Sequence, residues 1–128
     1  MHFPRILWAA PIAASLSFAG VADAHPRLMS ATPAANSVVA APSRIALKFS
    51  EKLIGPMTAA DVMMTGMPGK PHHQPVKMAG FRPALAADGK TFLLARAKPL
   101  PAGSYRVAWH AVSVDTHRVT GAFDFSVQ

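Results

Sequence analysis

Proline and glycine cut this chain into pieces too short for long helices: twelve prolines and eight glycines are spread over 128 residues. A helix interior tolerates neither residue well. What survives between them are brief apolar runs with a period of two, the pattern of strands with one face turned inward. Ile45, Leu47 and Phe49 alternate with Ala46 and Lys48. Val62-Met63-Met64 is a shorter candidate strand, followed by an irregular piece from Gly66 to Pro75 too rich in Pro, Gly and His for an inner strand. Thr91 to Ala95 follows an Asp88-Gly89 turn. The turn Leu100-Pro101-Ala102-Gly103 feeds a strand with Tyr105, Val107, Trp109 and Ala111 on one side and Arg106, Ala108 and His110 on the other. Phe123, Phe125 and Val127 share one face of a last strand, Ala122 to Val127. Around seven short strands predict an all-β fold, a small two-sheet sandwich or Greek-key barrel.

The first residues read as an export signal rather than as part of that fold. Arg5 supplies positive charge, an apolar run extends from Ile6 to Val21, and Ala22-Asp23-Ala24 is a small-x-small pattern suited to signal peptidase. The run is short and broken by Pro11, whereas a spanning helix wants roughly 20 apolar residues. The expected division is therefore a signal peptide over residues 1–24 and one domain over residues 25–128, with His25 as the first residue of the exported chain. No later segment is long and apolar enough to span a bilayer, so the mature chain is expected not to be membrane-embedded.

Composition narrows the chemistry. The chain has no cysteine, so it has neither a disulfide nor a thiolate metal ligand; a soft-metal site would have to use Met and His. The formal charge of +7 is carried by lysines and arginines scattered singly, and export would separate the chain from nucleic acid, which is not expected as a partner.

A histidine at the start of a mature chain is a special donor. Its α-amino nitrogen and ring Nδ1 can close a chelate, and an unperturbed amino group has a pKa of roughly 8, low enough for Cu(II) to displace the proton near neutrality. Cu(II) tops the divalent affinity order and favours tetragonal nitrogen and oxygen donors. Asp115 and His117, two apart, can supply the further ligands if their segment is extended and both side chains point the same way. Asp-x-His alone is a common pattern and equally describes a solvated turn between strands.

Several motifs in order make the case more specific. They are His25-Pro26 after the cleavage site, Pro33-Ala34, Leu47-Lys48-Phe49-Ser50-Glu51, Leu100 to Val107, Trp109, and Ser113 to Gly121 followed by Phe123 and Phe125. Together they resemble the CopC family of periplasmic copper-resistance proteins over the whole mature chain. The resemblance implies a cupredoxin-like or immunoglobulin-like β-barrel with a Cu(II) site at one end, a histidine brace mapping onto His25, Asp115 and His117. It implies that Glu51 lies near the copper without binding it directly. It also implies copper homeostasis in the periplasm, a monomer, and delivery to a membrane importer of the CopD type. Some relatives hold Cu(I) in a Met-rich loop. Here Met64, Met67 and His72 match that loop, but Lys70 and Pro75 stand where relatives have methionine, and a lysine cation repels copper. Met63, His73 and Met78 are near enough in sequence to substitute, whereas Met29 and Met57 are expected to pack. His110 is expected at the surface or at the rim of the site.

No nucleophile and base with an orienting group is evident, so an enzyme is not expected. Two other readings compete. A histidine brace is also the copper site of polysaccharide-cleaving monooxygenases, although Asp115 would block the open position those enzymes need. A β-sandwich interaction module without metal would make the histidines incidental.

Overall fold

The computed structural model describes residues 25–128; the export signal expected over residues 1–24, and its cleavage, lie outside the described residues. Nine strands follow in order: β1 (Leu28–Thr32), β2 (Val38–Val39), β3 (Arg44–Phe49), β4 (Ala59–Gly66), β5 (Val76–Lys77), β6 (Phe81–Leu85), β7 (Thr91–Arg96), β8 (Gly103–Val112) and β9 (Arg118–Val127). A single 3-10 turn, Gly55–Met57, interrupts them. Seven strands have five residues or more, matching the sequence pattern, and β2 and β5 are two-residue edge pieces. No helix among the described residues is long and apolar enough to cross a membrane.

The strands form two sheets, one ordered β1-β3-β7-β6 and the other β2-β9-β8-β4-β5. Pairings are antiparallel except β2 with β9. Alternation dictates which residues meet between the sheets: Ile45, Leu47 and Phe49 from β3, Phe92 and Leu94 from β7, Val62 and Met64 from β4, and Tyr105, Val107, Trp109 and Ala111 from β8 are all buried. Phe49 meets the Trp109 indole edge-on with ring centroids 5.0 Å apart, and Tyr105 stacks on Phe125 at 5.4 Å. The buried Tyr105 ring keeps its hydroxyl satisfied by donating to the Pro101 carbonyl at 2.5 Å.

Two methionines are not where the sequence pattern puts them. Met29 is 60% exposed and Met57 54% exposed. Met29 sits where the β1 register shifts between Leu28 and Ser30, which turns one side chain of an edge strand outward. Met57 belongs to the Gly55–Met57 turn, which buries none of its residues.

Candidate metal centre

One end of the sandwich gathers three chain segments. Pro26 is fully buried and seats the residues ahead of β1. Arg27 donates its N–H to Ser50 Oγ at 2.9 Å, and the Ser50 N–H donates to the Arg27 carbonyl at 2.9 Å. One residue beyond Glu51, the Lys52 carbonyl accepts from the Val114 N–H at 2.9 Å, and Leu53 bridges Ser113. Glu51 lies in the chain between Ser50, which anchors the His25 segment, and Lys52, which anchors the β8–β9 loop.

The β8–β9 loop is a tight turn and not the extended segment that the two-residue spacing suggested. Thr116 has a φ of 73°, its N–H donates to the Ser113 carbonyl at 2.8 Å, and the Ser113 N–H donates to the His117 carbonyl at 3.0 Å. Asp115 and His117 still come together, because the turn folds one onto the other: His117 Nδ1 lies 3.0 Å from Asp115 Oδ2. The other carboxylate oxygen, Oδ1, accepts from the buried Ser113 hydroxyl and from the His117 N–H at 3.4 Å. Ser113 first, then His117, hold the Asp115 carboxyl below the usual aspartate range. An ionised carboxylate can only accept, so this contact calls for a proton on His117 Nδ1.

The His25 ring meets this pair. Its centroid is 4.5 Å from that of His117, with the planes at 72°. His25, Asp115 and His117 are all exposed at the barrel end, so a metal ion can reach them. Among the described residues no three His, Cys, Asp or Glu side chains are already spaced to hold a metal. The rings are neighbours, and their donor atoms would converge by rotating about side-chain bonds. The donor set suits Cu(II): imidazole nitrogens and a carboxylate, with no thiol to compete.

Ser113 was not singled out from sequence. A serine two residues before an aspartate is the available signal, since serine is a common turn residue whose hydroxyl bonds locally. Ser113→Ala is expected to release Oδ1 and let the Asp115 carboxyl rise towards its ordinary range; for the copper site that the family resemblance implies, losing such an orienting group would weaken binding about 10–100-fold. Calorimetric titration of the variant checks this, and unchanged affinity would refute an orienting role for the hydroxyl.

The remaining histidines and methionines lie elsewhere. His110 is half-buried on β8, opposite Ala59 and Thr120, on the face away from Trp109. Met64 is buried in the core, whereas Met67 is 42% exposed and faces Lys70 across a hairpin tip closed by two backbone hydrogen bonds. His72 is exposed and lines an open cavity of about 460 Å³ with Thr65, Arg106 and Asp124. Met63 sits opposite Arg106 and Lys77, and Met78 packs against the core.

A two-sheet sandwich that presents two histidines and an aspartate at one end defines a small β-protein with a potential metal-ligating tip. The chain belongs to the CopC family, whose CopC domain matches residues 28–128. It is 48% identical over 107 residues to "Copper resistance protein C" of Escherichia coli, covering 84% of each chain. It is 43% identical over 116 residues to the protein of that name from Pseudomonas syringae pv. tomato, covering 91% of this chain and 90% of that one. Among solved structures, the fold is similar to PcoC, a methionine-rich copper resistance protein from Escherichia coli, with a TM-score of 0.74 and 47% identity over 82% of this chain and 100% of the other. It is also similar to CopC from Methylosinus trichosporium OB3b, with a TM-score of 0.65 and 27% identity over 81% of this chain and 94% of the other.

Proposed function

We propose that the protein is a periplasmic copper carrier that takes up Cu(II) through His25, Asp115 and His117 once the export signal has been removed. The observation that carries this reading is the meeting of the His25 ring with a His117 ring already oriented by Asp115. His25 contributes ring Nδ1 and, after processing, its α-amino nitrogen; His117 contributes Nε2. Asp115 holds the opposite edge of the His117 ring, at Nδ1, so to bind the same ion it gives up that hydrogen bond and turns towards the metal. Relatives called copper resistance proteins support copper as the cargo.

The role is buffering or delivery, with a CopD-type membrane importer as the recipient. The protein acts as a monomer, and no catalytic step is assigned to it. Cu(I) is a secondary cargo at most. Met67 and His72 are exposed donors, but Met64 would have to leave the core and the Lys70 ammonium lies across the hairpin from Met67.

Electron paramagnetic resonance on the processed protein tests the Cu(II) site. One equivalent of Cu(II) should give a tetragonal, nitrogen-rich signal, and Asp115→Ala should change its parameters. An unaltered spectrum in that variant would remove the carboxylate from the copper site.

A further inference from the structure

The two sheets treat charge differently. Two of the three cations in the strands of the five-stranded sheet face a carboxylate: Lys77 Nζ is 3.1 Å from Asp61 Oδ1, and Arg106 holds Asp124 through Nε at 2.8 Å and a second nitrogen at 3.2 Å, while Arg118 at the start of β9 pairs with neither. The four-stranded sheet has no Asp or Glu in any strand, yet it carries Arg44, Lys48, Arg82 and Arg96. Arg96 is occupied, donating to the carbonyls of Ala79 and Lys98 and lying over the Phe81 ring. The other three point outward, because Ile45, Leu47 and Phe49 on β3 and Phe92 and Leu94 on β7 take the inward positions.

Register arranges them on a flat surface. Arg44 and Arg82 flank Ala95 from either side; Ala46 and Ala84 flank Leu93 in the next row; Lys48 sits opposite Thr91 and Ser30. Strand spacing and rise put Arg44 about 10 Å from Arg82 and about 13 Å from Lys48. Nearly all the side chains between them are small. Asp88 stands at the Lys48 end, where hydrogen bonds from the N–H groups of Lys90 and Thr91 and from the Thr91 hydroxyl keep its carboxylate ionised and facing the Lys48 charge, while Lys52, a further cation, lies against the same turn.

We propose that this face docks on a bilayer surface carrying anionic phospholipid headgroups. A shallow plane with cations spread about 10 Å apart complements a plane of diffuse negative charge, where each Lys or Arg near the surface adds attraction. A protein partner would call for something else, since interfaces between proteins concentrate aromatic and other large anchors at their centre. Here the centre is Leu93 among alanines. The docking does not depend on the copper site, and its test contains no metal.

The test is sedimentation of the mature chain, which contains all nine strands, with vesicles of equal parts phosphatidylcholine and phosphatidylglycerol at low ionic strength. Binding should occur there, fade with added salt, and be absent on pure phosphatidylcholine. The triple variant Arg44→Thr, Lys48→Thr, Arg82→Thr should lower the partition coefficient on the order of 100-fold. Lys70→Thr, Lys77→Thr, Arg106→Thr removes the same net charge from elsewhere and should lower it far less. Equal losses in the two variants would mean that overall charge, not this face, drives binding, and would overturn the proposal. Absence of binding to the anionic vesicles would overturn it too, leaving the face to an acidic protein. Amine acetylation of the unmodified protein gives a second readout: vesicles should shield Lys48 and leave Lys70 reactive, and equal shielding would count against the face.

Discussion

One alanine placed ahead of His25 is expected to weaken Cu(II) binding on the order of 10²–10⁴-fold, the range over which joining two donors on one frame raises effective concentration. The added residue turns the α-amino nitrogen of His25 into an amide and leaves every other donor in place. The two imidazoles and the carboxylate would still meet at the barrel tip, because the tight turn and the Asp115 hydrogen bond do not involve the terminus. Fold and stability of the copper-free protein should therefore be unchanged, which separates the loss from a folding defect. Competition titration against a chelator of known affinity measures the difference. Equal affinity in the two proteins would show that the amino nitrogen is not a ligand, and the brace would have to be abandoned.

Phe49→Ala is expected to have the largest effect on stability, about 3–5 kcal/mol for a buried aromatic. The side chain is 1% exposed and its ring is the edge-on partner of Trp109. A domain of this size has about 5–15 kcal/mol in total, so the variant would lie close to unfolding. Copper should restore part of the loss. Saturation at a hundredfold excess over the dissociation constant adds about 2.7 kcal/mol to any state that binds and not to the unfolded chain. Denaturant melts with and without Cu(II) read both effects. A melt that copper leaves unmoved, in the parent as in the variant, would argue that the folded protein does not bind it.

Strands whose two faces differ could be read directly. The alternation over Ile45 to Phe49 and over Tyr105 to Ala111 falls within β3 and β8 and assigns their inward residues correctly, and Thr91 to Ala95 falls within β7. Edge strands were harder, since an edge carries little pattern: β1 is bulged, β6 contains Pro83, and β2 and β5 are too short to alternate. β9 begins at Arg118, ahead of the expected Ala122, and so takes in Gly121. Its role is packing. A Cβ there would come within 2.3 Å of the Trp109 ring, so the glycine keeps the strand and the indole together. At the tip, residue types pointed to the right neighbours for an incomplete reason. The spacing of Asp115 and His117 suggested an extended arm, whereas Ser113 and the positive φ of Thr116 make a turn that no period of two reveals.

Chain ends ordinarily fray and must lose that freedom before they can take part in binding. At the terminus proposed for the processed chain, Pro26 and the reciprocal Arg27–Ser50 hydrogen bonds already hold the backbone just after His25. Capture of an ion at the proposed site would then cost side-chain rotation and the loss of protons and water, but little ordering of the backbone.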